Sequence, residues 1–227
     1  MDAKYLFYIT LVISIILQIL TGFIEIGSFF VKVPDMYSII RQLLIIELVV
    51  QCFEGAFYVW LAYNFAKVSN ITPKRYVDWV ITTPSMLITL MVYLIYLNNR
   101  LETRQTDLHI FTILKENVYI FIPVLVLNWL MLLFGYLGEM QIIPVMLGVV
   151  LGFIPFLMSY YIIYVNYVGK SERANLLFWY FFCFWSLYGV AAMLPYYVKN
   201  SFYNILDLFA KNFFGIFLSY IIFSGQY

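Results

Sequence analysis

The chain has 227 residues, of which 64% are hydrophobic, 21% aromatic and 11% charged, with a mean hydropathy of +0.90. So apolar a composition excludes an ordinary water-soluble domain and indicates an integral membrane protein in a lipid bilayer. The formal net charge is +1, from charges scattered singly along the chain, which excludes a long basic tail for nucleic acid or anionic lipid.

A membrane-crossing helix needs about 20 mostly apolar residues. In chain order, seven segments meet that requirement: Tyr5 to Phe30, Tyr37 to Ala66, Tyr76 to Leu97, Val118 to Leu137, Ile142 to Tyr167, Leu176 to Tyr197 and Phe202 to Phe223. The first is too long for the core of a removable signal, and Ser14 and Gln18 interrupt it, so it is expected to remain as helix one. Loop punctuation separates the segments at Lys32 to Asp35, Asn70 to Lys74 and Gly169 to Arg173. The longest polar interval, Asn98 to Asn117, joins helices three and four and holds the lone His109, expected as a solvated loop residue. Cys52 and Cys183 lie in apolar stretches without metal-type spacing and read as small core residues. No repeat or linker divides the chain, which reads as a single all-α domain, residues 1–227, of seven transmembrane helices.

Seven spans put the termini on opposite sides of the bilayer. Lys32, Arg41, Arg100, Arg104, Lys115, Lys170 and Arg173 flank one side, against Lys4, Lys67, Lys74 and Lys199 on the other. The positive-inside rule then predicts an extracellular N-terminus and a cytoplasmic C-terminus.

Glu47, Glu54, Asp78, Asp207 and Lys211 remain at hydrocarbon depth, with Arg75 at a helix end. Ionisable residues there are costly and mark functional sites. Asp207 and Lys211 are one turn apart on helix seven, and Asp78 shares a face of helix three with Thr82. Spacing alone leaves two readings open: a buried ion pair that fixes packing, or a reactive site.

The run Arg75-Tyr76-Val77-Asp78-Trp79-Val80-Ile81-Thr82-Thr83-Pro84 resembles the helix-three signature of microbial rhodopsins, and Asp207-Leu208-Phe209-Ala210-Lys211 resembles that family's retinal-binding motif. The similarity extends to Trp185-Ser186-Leu187-Tyr188 on helix six, with Gly189 where the proton pumps have proline, and a looser pocket is expected there. On helix four it reaches Asn128, Met131 and Gly135, with Asn128 replacing the pump aspartate; on helix five it places Gly152 and Pro155 near the retinal ring. The resemblance implies a photoreceptor, not an enzyme, in which Lys211 holds all-trans retinal as a protonated Schiff base. It further implies Asp78 as proton acceptor, Asp207 as second counterion and Arg75 as their extracellular neutraliser. Tyr58 and Tyr188 would donate hydrogen bonds to Asp207, and Trp79 and Trp185 would sandwich the polyene.

Pumps of this family keep a proton-donating carboxyl group on helix three, eleven residues after the acceptor, where this chain has Thr89; at the release position on helix seven it has Lys199. Helix two instead carries Glu47, Gln51, Glu54 and Tyr58 at intervals of four, three and four, a continuous polar stripe. That stripe resembles the glutamate-rich second helix of channelrhodopsins, whose central gate joins a serine, a glutamate and an asparagine that follows the retinal lysine; Ser14, Glu54 and Asn212 stand in those places. Thr83 and Asn128 would pair across helices three and four. The compact chain looks like viral rhodopsins of the light-gated cation channel group, passing monovalent cations or protons. A weak outward proton pump with Glu47 as donor is the alternative, a sensory receptor is a third reading, and a homo-oligomer is compatible with each.

Overall fold

The computed structural model of the chain describes residues 2–65, 67, 70–101, 108–169 and 171–227. Among the described residues, seven helices are long and apolar enough to cross a membrane. Helix one is Ala3–Phe29, helix two Ser38–Asn64, helix three Thr72–Leu101, helix four Val118–Glu139, helix five Val145–Val168, helix six Glu172–Ala192 and helix seven Tyr196–Ser224. The chain is therefore an all-α, multi-pass membrane bundle. Of the residues named above, Ala66, Arg104 and Lys170 lie outside the described residues.

Local chemistry sets the helix ends. Asp2 Oδ1 accepts from the Lys4 N–H at 3.2 Å, and Ser171 Oγ from the Ala174 N–H at 3.3 Å, each taking up an amide that the first turn leaves without a partner. Arg41, near the start of helix two, donates through Nη2 to the carbonyls of Phe29 and Val31 at 3.0 and 2.7 Å and so caps the end of helix one.

Three differences from the expected layout bear on the polar residues. Helix three starts at Thr72 rather than Tyr76, because Pro73 fits a first turn whose N–H groups have no helical partner; Arg75 is thereby inside the helix. The break between helices six and seven falls at Pro195 rather than beyond Tyr197, because proline cannot continue helix six and instead precedes the first turn of helix seven. Lys199 is consequently a buried residue of helix seven rather than a loop flank. Within the polar interval, Ile110–Glu116 forms a short helix, too brief to register as a span, and exposed His109 precedes it, its Nδ1 accepting from the Phe111 N–H at 3.4 Å.

Helices three and seven form the centre of the bundle: 67% and 61% of their spanning windows are buried, against 22–39% for the other five. Large apolar side chains such as Phe23, Tyr119 and Leu176 point outward, as a lipid environment permits. Cys52 and Cys183 are also exposed, contrary to the core placement expected. An apolar stretch in a membrane helix has a lipid face as well as a core face, and composition does not separate the two.

Pro84 lies inside helix three and leaves the Val80 carbonyl without its helical donor. The Trp129 indole N–H of helix four fills that position at 3.0 Å, so that a carbonyl on the lipid-facing side of the helix is not left without a donor. Helices four and five approach closely where glycines face each other: a Cβ at Gly148 would lie 2.8 Å from the Phe134 carbonyl and 3.1 Å from Gly138 Cα. Helix seven is α-helical to Asp207, widens into a π-helical turn over Leu208–Asn212 and resumes as α-helix from Phe213.

Candidate functional site

Lys211 sits in that π-helical turn with its Nζ among three carboxylates from three helices. Asp78 Oδ2 of helix three is 2.5 Å away, Asp207 Oδ1 one turn back on helix seven is 3.6 Å away, and Glu54 Oε1 of helix two is 3.7 Å away. All four side chains are at most 3% exposed, a depth at which an ammonium is tolerable only beside anions.

The carboxylates are not equivalent. Asp207 is saturated: Tyr58 donates to its Oδ2 and Tyr188 to its Oδ1, both at 2.8 Å, and Arg75 Nη1 lies 3.3 Å from Oδ2. Asp78 is held only by Lys211, and its Oδ1 has no hydrogen-bond partner among the described residues. The Thr82 hydroxyl, on the same face, donates to the Asp78 backbone carbonyl at 3.0 Å rather than to the carboxylate. Asp78 thus has an unpartnered oxygen that Asp207 lacks, and both oxygens of Glu54 are likewise without a hydrogen-bond partner among the described residues.

On the other flank of Asp207, Arg75 is fully buried. Its Nε donates to Asn200 Oδ1 at 3.0 Å and its Nη2 to Asn204 Oδ1, while the guanidinium carbon lies 5.5 and 5.6 Å from the ring centroids of Phe57 and Tyr203. Asn200 and Asn204 extend the network to Thr72 and Thr10 at 3.0 and 3.1 Å. Nearby, Lys199 Nζ pairs with Glu139 Oε2 of helix four at 2.6 Å. Both partners are nearly buried, so removing either would cost about 3–5 kcal/mol.

A largely apolar cavity opens beside Lys211. Trp79, Thr83, Met131, Gly135, Trp185 and Tyr188 all line it, as does Gly152, whereas Pro155 does not. Gly135 makes room for the Tyr76 hydroxyl, which would be 2.7 Å from a Cβ there. A Cβ at Gly189 would lie 2.6 Å from the Phe153 ring, so the space expected to be loose behind helix six is filled by that ring. Asn128 Nδ2 donates to Thr83 Oγ1 at 2.8 Å, joining helices three and four at the cavity wall.

On the side of Lys211 away from Arg75, the arrangement differs from the expected gate. Ser14 donates to the Asn204 carbonyl at 3.0 Å and makes no hydrogen bond to Glu54 or Asn212, and the Glu54 oxygens have no hydrogen-bond partner among the described residues. Asn212 instead forms a reciprocal pair with Gln18, Gln18 Nε2 to Asn212 Oδ1 and Asn212 Nδ2 to Gln18 Oε1, both at 3.0 Å. Gln51 donates to the Gln18 carbonyl at 2.8 Å and to its side-chain oxygen. The longer glutamine reaches the Asn212 side chain, whereas Ser14 is engaged with the Asn204 backbone carbonyl. Further along, Glu47 is buried beside the Thr89 hydroxyl, and Glu25 of helix one is 1% exposed, near Glu47 and against Gly215 of helix seven.

The profile of bacteriorhodopsin-like proteins matches residues 9–225, nearly the whole chain. The chain belongs to the bacteriorhodopsin-like family. Among solved structures, the viral rhodopsin OLPVRII is similar at 29% identity with a TM-score of 0.78, covering 99% of each chain. A blue light-absorbing proteorhodopsin from Med12 is 19% identical with a TM-score of 0.74 over 98% of each chain. Xanthorhodopsin, described as a light-driven ion pump with dual chromophore, is 18% identical with a TM-score of 0.73 over 98% of this chain and 94% of its own. No curated protein sequence matches.

Bacteriorhodopsin-like proteins bind retinal. The cavity fits such a group: indole rings from helices three and six line it, its wall is mostly apolar, and it includes a buried amine with anions in place. Three features of the site were not read from the sequence. Gln18 and Glu25 belong to a stripe on helix one, Thr10, Ser14, Gln18, Thr21, Glu25 and Ser28, every member buried. Its intervals of four and three are the same signal that marked helix two. The third, the Lys199–Glu139 pair, was hidden by the misplaced start of helix seven.

Proposed function

We propose that this member of the family is a light-gated cation channel, in which Lys211 carries all-trans retinal as a protonated Schiff base. Bound there, retinal supplies absorption of light and an isomerisation that displaces the positive charge at Nζ. Asp78 and Asp207 act as counterions, with Asp78 the proton acceptor because Asp207 is already saturated by Tyr58, Tyr188 and Arg75. Trp79, Trp185, Met131, Thr83, Gly135 and Tyr188 hold the chromophore in the cavity.

The observation that carries the channel reading is the pair of buried polar stripes on helices one and two. Thr10, Ser14, Gln18, Thr21, Glu25 and Ser28 on one helix and Glu47, Gln51, Glu54 and Tyr58 on the other join residues of helix seven in a column that passes Lys211. Such a column is costly in a helix pair that serves only to pack, and its carboxyl groups favour cations over anions. The N-terminus is taken as extracellular and the C-terminus as cytoplasmic, on the distribution of basic residues.

Voltage-clamp recording under illumination tests this. A channel current must reverse at a voltage that follows the cation gradient, and Glu54→Gln should alter its amplitude or selectivity. A current that stays outward at every accessible voltage sinks the channel reading. The second reading, a weak outward proton pump, is favoured by one observation: Glu47 of helix two lies beside Thr89, where pumps keep their donor carboxyl group, and could return the proton from there.

A further inference from the structure

The reciprocal Gln18–Asn212 pair is the tightest side-chain connection between helix one and helix seven on the far side of Lys211 from Arg75, and Gln51 ties it to helix two. Gln18, Gln51 and Asn212 are 4%, 8% and 3% exposed, so their amides satisfy one another rather than water. Four hydrogen bonds meet on the one side chain and backbone carbonyl of Gln18, which makes this residue the node through which three helices are joined.

We propose that Gln18 is the closing residue of the ion path, and that separation of its amide from Asn212 is the opening step. The proposal rests on the channel reading and adds to it the contact that must break. Asn212 shares a peptide unit with Lys211, and both lie in the π-helical turn, whose wider hydrogen-bond ring leaves this stretch more readily rotated than the flanking α-helix. A displacement of the Lys211 side chain therefore turns Asn212 first. Glu54, 3.7 Å from Lys211 Nζ, flanks Gln18, so a change of charge at the amine reaches the amide from helix two as well. Once the pair separates, Gln18 Nε2 and both polar atoms of the Asn212 amide are left in a buried position without partners, and water entering with a cation supplies them.

The test is whole-protein recording of photocurrent and dark leak, with the absorption spectrum checked for each variant. Gln18→Leu keeps much of the side-chain volume and removes every hydrogen bond of the amide. It should slow closing after the light is switched off, or leave a leak in the dark, by roughly tenfold or more for the two lost pair bonds. Asn212→Leu should do the same, and the double variant should show no more than either single one, because one contact is lost in each case. Should Gln18→Leu fail to form pigment, Gln18→Asn decides: it retains an amide but is one methylene too short for the reciprocal pair, so it should close slowly with a normal spectrum. Wild-type infrared difference spectra with isotope-labelled glutamine need no substitution, and must show a glutamine carbonyl band that shifts on illumination. Absence of that band overturns the proposal, as does closing within twofold of wild type in a pigmented Gln18 variant. A wild-type current that ignores the cation gradient overturns the channel reading together with it, whereas a gradient-following current with unchanged closing overturns this proposal alone.

Discussion

Gly189→Ala adds one methyl group to the wall of the cavity, and the structure states where it would go. The new Cβ would stand 2.6 Å from Cε2 and 2.8 Å from Cζ of Phe153. Ordinary contact begins at 3.4 Å, so the ring must retreat by about 0.8 Å, and it also packs edge-on against Phe156 at 5.7 Å. Overfilling of this kind costs about 1–3 kcal/mol. Phe153 itself lines the cavity, so a ring pushed inward takes that cost from retinal binding, weakening uptake roughly 5- to 150-fold. Titration of the retinal-free protein with retinal, followed by absorption, measures the loss, and thermal bleaching of the pigment measures its stability. The double variant Gly189→Ala with Phe153→Leu should recover most of the deficit, since the clashing ring is gone. A single variant that takes up retinal and bleaches like wild type would refute the close contact between helices five and six on which the reasoning depends.

Lys211→Ala should form no stable visible pigment when retinal is added, because among the described residues no other lysine amine lines the cavity; a coloured adduct that survives washing would displace the attachment site. Asp78→Asn should move absorption to the red: the anion 2.5 Å from Nζ stabilises the positive charge in the ground state more than in the excited state, where that charge shifts toward the ring. Acidification of the wild type should move absorption the same way, since protonating Asp78 removes the same negative charge. A blue shift in Asp78→Asn, or none at neutral pH, would make Asp207 the primary counterion.

The residues around Lys211 were legible because charge at hydrocarbon depth stands out against an apolar background, and two motifs in the right order tied it to a family. Helix identity was legible for the same reason, since a span needs length more than detail. The ends were not. Pro195 and Pro73 act on single turns, and a polar run such as Lys199-Asn200-Ser201 looks like a loop until a partner for it is found; Glu139 and Arg75 are those partners, from other helices. Glu25 was overlooked since it lies near the end of its segment, where a carboxylate is ordinarily a solvated flank. It is buried because Gly215 of helix seven leaves space for it, a cross-helix fit that one chain position cannot announce. The gate resemblance implies a contact among Ser14, Glu54 and Asn212, but Ser14 is engaged with the Asn204 carbonyl, and Gln18, one turn on, is long enough to reach Asn212.

The Lys199–Glu139 pair also bears on how helix seven can move. It fixes the first turn of that helix to the end of helix four, and the Arg75 network fixes the next two turns to helix three. Beyond these anchors come the π-helical turn at Leu208–Asn212 and then Phe213–Ser224, the part that lies against Gln18 and Glu25. A push delivered at Lys211 therefore meets charged anchors on one side and neutral contacts on the other, among them the Gln18–Asn212 amides and the Ser28–Ser219 hydroxyls at 3.3 Å. Cutting the charged anchor with Glu139→Gln should spread any movement that starts at Lys211 over both halves and lessen what reaches the amides at Asn212.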